Sequence, residues 1–100
     1  MNDSVQVVLD YMENVIFEPG ANWPEHILAE RSYARWAASE IVELLMDHPF
    51  DEPDILIEAH LMDMMLYMYE SESEQQRFIF TVATETTEDI LKLFIKRRKT

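Results

Sequence analysis

The sequence predicts an all-α domain: one compact bundle of four helices, or five if the last segment divides. Three observations predict it. Apolar residues recur at intervals of three and four along most of the chain, as one face of a helix requires. No segment alternates apolar and polar residues as a strand does. Glycine occurs once, at Gly20, so few positions are free to break a helix. With 100 residues and 48% of them apolar, the chain can bury one core and is too short for two. Residues 1–100 are read as a single domain.

The first helix starts at Asp3, with Gln6 at capping-box spacing. Val5, Val8, Leu9, Met12, Val15 and Ile16 supply its apolar face, and Glu18-Pro19-Gly20 stops it after Phe17. The second is capped by Asn22, carries Pro24 in its first turn and runs to Asp47. Ile27, Ala34, Ala37, Ala38, Ile41, Leu44 and Leu45 share one side, and the alanines let a neighbour approach closely. His48-Pro49 ends it, because the residue before proline is pushed out of helical geometry.

The third helix opens at Asp51, with Pro53 in its first turn, and reaches Glu70. Ile55, Ala59, Met62, Met65, Leu66 and Tyr69 read as its principal face, while Ile57, Leu61, Met64 and Met68 extend the apolar surface round it. Only a strip holding His60, Asp63, Tyr67 and Glu70 reads as solvated. A helix this apolar is central in its domain or shared with a second subunit. Ser71 with Glu74, or Ser73 with Gln76, caps the final segment. Ile79, Ala83, Ile90 and Phe94 form its stripe, with Phe80, Val82 and Leu93 alongside. The threonines between Thr81 and Thr87 weaken helix propensity, and Thr86 with Asp89 offers a restart, so one long helix and two short ones both fit.

Charge narrows the partners. Acids number 20 and bases 8, for a net charge of −12. All 20 acids precede Lys92, and only Arg31, Arg35 and Arg77 offset them there, a balance of −17. Lys92, Lys96, Arg97, Arg98 and Lys99 follow, where basic residues complement the negative end of a helix dipole. Such acidity repels phosphates and argues against direct nucleic-acid binding. No apolar run is long enough for a membrane span, and the N-terminus lacks the basic region of a secretory signal. The absence of cysteine removes disulfides, thiolate metal sites and cysteine nucleophiles.

Catalytic signals are incomplete. Glu40 and Glu43 make an ExxE pair, followed by Glu58, His60 and Asp63. All-α nucleotide pyrophosphohydrolases hold Mg²⁺ with EExxE and ExxD, since a hard cation takes oxygen ligands. Here Ser39 replaces the first acid and Leu61 the last. His26, His48 and His60 have no zinc-ligand spacing, and no phosphate-cradling loop is present. The chain is therefore expected to be no enzyme and to use no metal or other cofactor, with that hydrolase as the alternative. Glu30 and Glu58 fall on apolar stripes, where a carboxylate must be paired; an internal salt bridge to Arg31, Arg35 or Arg77 is the expected solution.

Two surfaces read as partner-binding. Glu40, Glu43, Asp47, Asp51, Glu52 and Asp54 gather round the second interhelical turn, and Glu70, Glu72 and Glu74 round the third. Acids three or four apart on a helix stand about 5–6 Å from each other, close enough to imitate successive phosphates in the groove of a basic protein. Met64, Met65 and Met68 form the second surface, and methionine suits adaptable interfaces, so a homodimer or small homo-oligomer is expected. A purely structural or regulatory oligomer is the other alternative.

The stretch RSYARWAASEIVELLMDHPFDEP, the methionine-rich helix, RFIF and TTEDILKLF together resemble a group of short all-helical proteins encoded by prophages and mobile elements of Gram-positive bacteria. The resemblance spans Arg31 to Leu91 and rests on ARWA, MDHP and TEDI, which are packing and capping signals. It carries no activity. It implies a phage-type, host-directed binding protein of the host cytoplasm, such as an inhibitor of a CRISPR effector or another defence protein that binds nucleic acid.

Overall fold

The computed structural model describes residues 3–16 and 24–98. The described residues form four α-helices and no strand. Helix α1 spans Asp3–Tyr11 and continues as a π-helical turn over Met12–Ile16; α2 spans Glu25–Asp47, α3 Pro53–Tyr69 and α4 Glu74–Arg98. The expected ending at Phe17 and the Asn22 cap lie outside the described residues.

Local chemistry sets the boundaries, partly through other residues than those expected. Gln6 reaches forward, its amide donating to the Asp10 carboxylate at 2.8 Å, and does not turn back toward Asp3. The π turn replaces the last turn of regular helix, and its final carbonyls are satisfied from another element. The Arg31 guanidinium donates to the carbonyl oxygens of Val15 and Ile16, both at 2.8 Å. Pro24 occupies the N-cap of α2, so α2 begins two residues later than an Asn22 cap would start it, and the proline stands before the first turn and not within it. At the next turn Asp51 meets His48 at 3.4 Å, while Glu52 holds the N-cap position of α3.

The Ser71 hydroxyl donates to the Tyr67 carbonyl, closing α3. Ser73 then accepts the Gln76 N–H at 3.1 Å, so the cap of α4 is Ser73 with Gln76. Helix α4 is one unbroken element. The Thr81 hydroxyl donates to the Arg77 carbonyl and Thr87 to that of Ala83. That back-bonding lets Thr87 sit fully buried without an orphaned hydroxyl.

The helices run up and down, each antiparallel to the next. Ala37 of α2, Met64 of α3 and Ala83 of α4 pack together at one level. Val8, Ile41, Ile57 and Ile90, one from each helix and each fully buried, belong to the main core below them. The stripes predicted for α2 and α4 point inward as expected. Helix α3 does not follow its predicted facing. Ile57 and Met64 are buried and Leu61 and Met68 half-buried, whereas Ile55, Ala59, Met62, Met65, Leu66 and Tyr69 are exposed. The two stripes lie on opposite sides of the helix, and the bundle takes the one first read as secondary. Among the described residues no helix is long and apolar enough to cross a membrane.

Candidate interaction surfaces

The bundle sorts the nine predicted acids into two groups. Glu40, Glu43 and Asp47 follow one another along the last turns of α2, and Asp51, Glu52 and Asp54 continue round the connection into α3. Glu40 and Asp54 are half-buried and the other four exposed. Glu70, Glu72 and Glu74 are exposed at the far end of α3. The 17 residues of α3 put about 25 Å between the groups. One continuous acidic surface is not formed; there is an acidic edge at one end and an acidic corner at the other.

The basic end of α4 lies beside the first group. Arg97 and Phe94 share a surface hollow with Glu52, Pro53 and Asp54, which places the last turns of α4 against the first turn of α3. Lys92 pairs with Glu88 at 3.2 Å, both groups exposed. An exposed pair of this kind contributes little stability.

The predicted self-association residues separate. Met64 belongs inside, packed on Ala37 and Ala83, and Met68 is half-buried. Met65 is 48% exposed and stands near Met62 (65%), Leu66 (52%), Ile55 (60%) and Tyr69 (86%). Phe50, in the turn before α3, is 99% exposed. The exposed apolar stripe of α3 is thus the one that its sequence pattern assigns to the core.

The carboxylate pattern of the hydrolase reading does not converge. Glu43 and Glu58 are exposed, and among the described residues no three His, Asp or Glu side chains come together as a metal site. His60 faces Glu40 and Asp63. Burial pushes its pKa below the ordinary histidine value, against the pull of those two acids, and its Nε2 is buried without a hydrogen-bond partner. Glu30 and Glu58 are exposed, not paired inside the core as expected. A helix position flanked by apolar residues is not buried unless a neighbour covers it.

One site escaped the sequence reading. A cleft of about 290 Å³ between α1, α2 and α4 is lined by Tyr11, Glu30, Arg31, Glu85, Thr86 and Asp89 among others. Tyr11 is the side chain it perturbs most. Burial, then the charge of Asp89 and a hydrogen bond to it, push the phenol from 10.0 to about 12. The available signal was spacing, since Tyr11 falls three residues after Val8 and four before Val15.

A pH dependence follows. The fold favours the neutral phenol, so the contribution of Tyr11 is whole below pH 10 and disappears as pH rises toward 12. In urea titrations across that window the wild type should lose stability relative to Tyr11→Phe. Parallel curves for the two proteins would show that Tyr11 is not perturbed.

No known protein family, curated protein or solved structure matches this chain.

Proposed function

We propose that this chain is a protein-binding module without catalytic activity, and that its partner is a basic protein that binds nucleic acid. The observation that carries the reading is the acidic edge of α2 and the following turn. Glu40, Glu43 and Asp47 recur at helical spacing along a rigid element, and Asp51 and Glu52 prolong the row. Neighbouring carboxylates on such a row stand about 5–6 Å apart. A basic groove shaped for phosphates meets there a fixed array of negative charge. The strong negative balance before Lys92 adds long-range attraction, which accelerates encounter with a positive surface. In its most specific form the module inhibits a host defence protein, such as a CRISPR effector, by occupying the nucleic-acid site.

The test is affinity capture from a Gram-positive bacterial lysate at low and high salt, with DNA or RNA as competitor. The expected result is a basic nucleic-acid-binding protein that salt weakens and nucleic acid displaces. Reversing the edge with Glu43→Lys, Asp47→Lys and Glu52→Lys should reduce its capture at least roughly tenfold, about 1.4 kcal/mol. Capture indifferent to nucleic acid and to these substitutions would overturn the proposal.

A further inference from the structure

The cleft between α1, α2 and α4 is a site distinct from the acidic edge, and we infer that it binds a small aliphatic diammonium ion, two ammonium groups joined by a short hydrocarbon chain. Its lining divides by chemistry. Ile27 and Ala34 of α2 and Val82 of α4 give it apolar surface. Glu30 of α2 and Glu85 and Asp89 of α4 give it three carboxylates, and none of the ion pairs among the described residues engages them. The guanidinium in the lining, that of Arg31, donates to the carbonyl oxygens of Val15 and Ile16. Three carboxylates against one guanidinium leave the cleft negative, so it repels anions and attracts cations.

Thr86 makes the cleft more than a group of surface acids. It is 5% exposed and lines the cleft. Thr81 and Thr87 return their hydroxyls to carbonyls of their own helix, whereas no hydrogen bond among the described residues uses the Thr86 hydroxyl. Nor is its oxygen sealed in the interior, as the orphaned Thr84 Oγ1 is. The opening left to it is the cleft, where it can accept a proton from an ammonium group. Asp89 lies three residues further on, on the same face of α4, and the Tyr11 phenol donates to its carboxylate and holds it in place.

Size and the placing of charge choose the ligand. The cleft of about 290 Å³ stands at the lower end of small-molecule sites, ~300–1,000 Å³, so its occupant is small. Among the described residues the acids do not come together as a metal site, which removes a point cation. Glu85 and Asp89 are four apart on α4, about 5–6 Å from each other, while Glu30 belongs to the neighbouring helix. One ammonium beside Thr86 and Asp89 and a second at Glu30 match that division. The hydrocarbon between them then covers Ile27, Ala34 and Val82.

A nuclear magnetic resonance titration of the purified protein with putrescine tests this, and its outcome is independent of whether a basic partner is captured. At physiological ionic strength diffuse attraction to the acidic surface is screened. Saturable shifts are expected at Tyr11, Glu30, Thr86 and Asp89, ahead of any along the Glu40–Asp47 row. Glu30→Gln with Glu85→Gln should weaken binding roughly tenfold or more, and Thr86→Val several-fold, while Glu43→Gln with Asp47→Gln leaves it unchanged. Glu30 and Glu85 are exposed, so the paired variant keeps the fold. Shifts that do not saturate, or that spread evenly over the acids, overturn the inference. So does binding that survives the paired variant. Butylamine or N-acetyl-lysine amide binding as tightly as putrescine also overturns it, because one ammonium would then suffice.

Discussion

Met64→Lys is expected to unfold the domain, whereas Met62→Lys, two residues away, leaves it folded. Met64 is 6% exposed and packs on Ala37 and Ala83, both wholly buried. A lysine there has no carboxylate facing it in that cluster, and it must carry its charge inside or give up its proton. Either route costs several kcal/mol, against a total stability of about 5–15 kcal/mol for a domain of this kind. Met62 lies on the opposite, exposed face, where a lysine stays in water. Urea titrations followed by circular dichroism check the pair. A folded Met64→Lys protein of near wild-type midpoint would mean that α3 faces the other way in solution.

Helix α3 shows where the sequence stopped being legible. Periodicity locates a helix and its stripes. It does not say which of two stripes a neighbour will cover when both are apolar. Ile55, Met62 and Tyr69 are as hydrophobic as Ile57, Leu61 and Met64, and the decision comes from the partners. Ala37 and Ala83 are small enough for α2 and α4 to close over Met64. In α2 and α4 one stripe was clearly richer than the rest, and there the facing was readable.

The misplacement of Glu30 and Glu58 has the same origin, since burial belongs to contacts between helices. The caps were legible in part: Ser73 with Gln76, one of the two expected pairs, caps α4, while Glu52 stands where Asp51 was expected at α3. Several residues can offer a side chain to one helix end, and the choice among Ser71, Ser73, Asp51 and Glu52 depends on backbone angles set by each turn. The bond from Arg31 to the π turn joins residues 15 and 16 apart, beyond the reach of any local pattern. The acidic groups were legible as sequence clusters. Their separation to the two ends of α3 was legible as well, because that helix lies between them in sequence; that Glu40 and Asp54 are half-buried while the others are exposed required the fold.

Ile90→Ala should lower the free energy of unfolding by about 2–5 kcal/mol, and the loss should appear as one transition. Ile90 is fully buried and belongs to the same core as Val8, Ile41 and Ile57, so its truncation opens a cavity where all four helices contribute. Its position makes it more than a packing residue. The segment between Thr81 and Thr87 is a poor helix former, and α4 crosses it because packing on both sides holds it helical. Trp36 of α2 meets Phe80 of α4 edge-on at 6.3 Å, before the threonines, whereas Ile90 lies after them. If α4 is one cooperative unit, weakening it at Ile90 must release Trp36 at the same urea concentration at which helix is lost. In a Trp23→Phe background, where fluorescence reports Trp36 alone, fluorescence and circular dichroism at 222 nm should therefore give coincident curves with and without Ile90→Ala, both shifted to lower urea by the substitution. If part of the helix signal melts well before fluorescence changes, α4 divides at its threonines in solution.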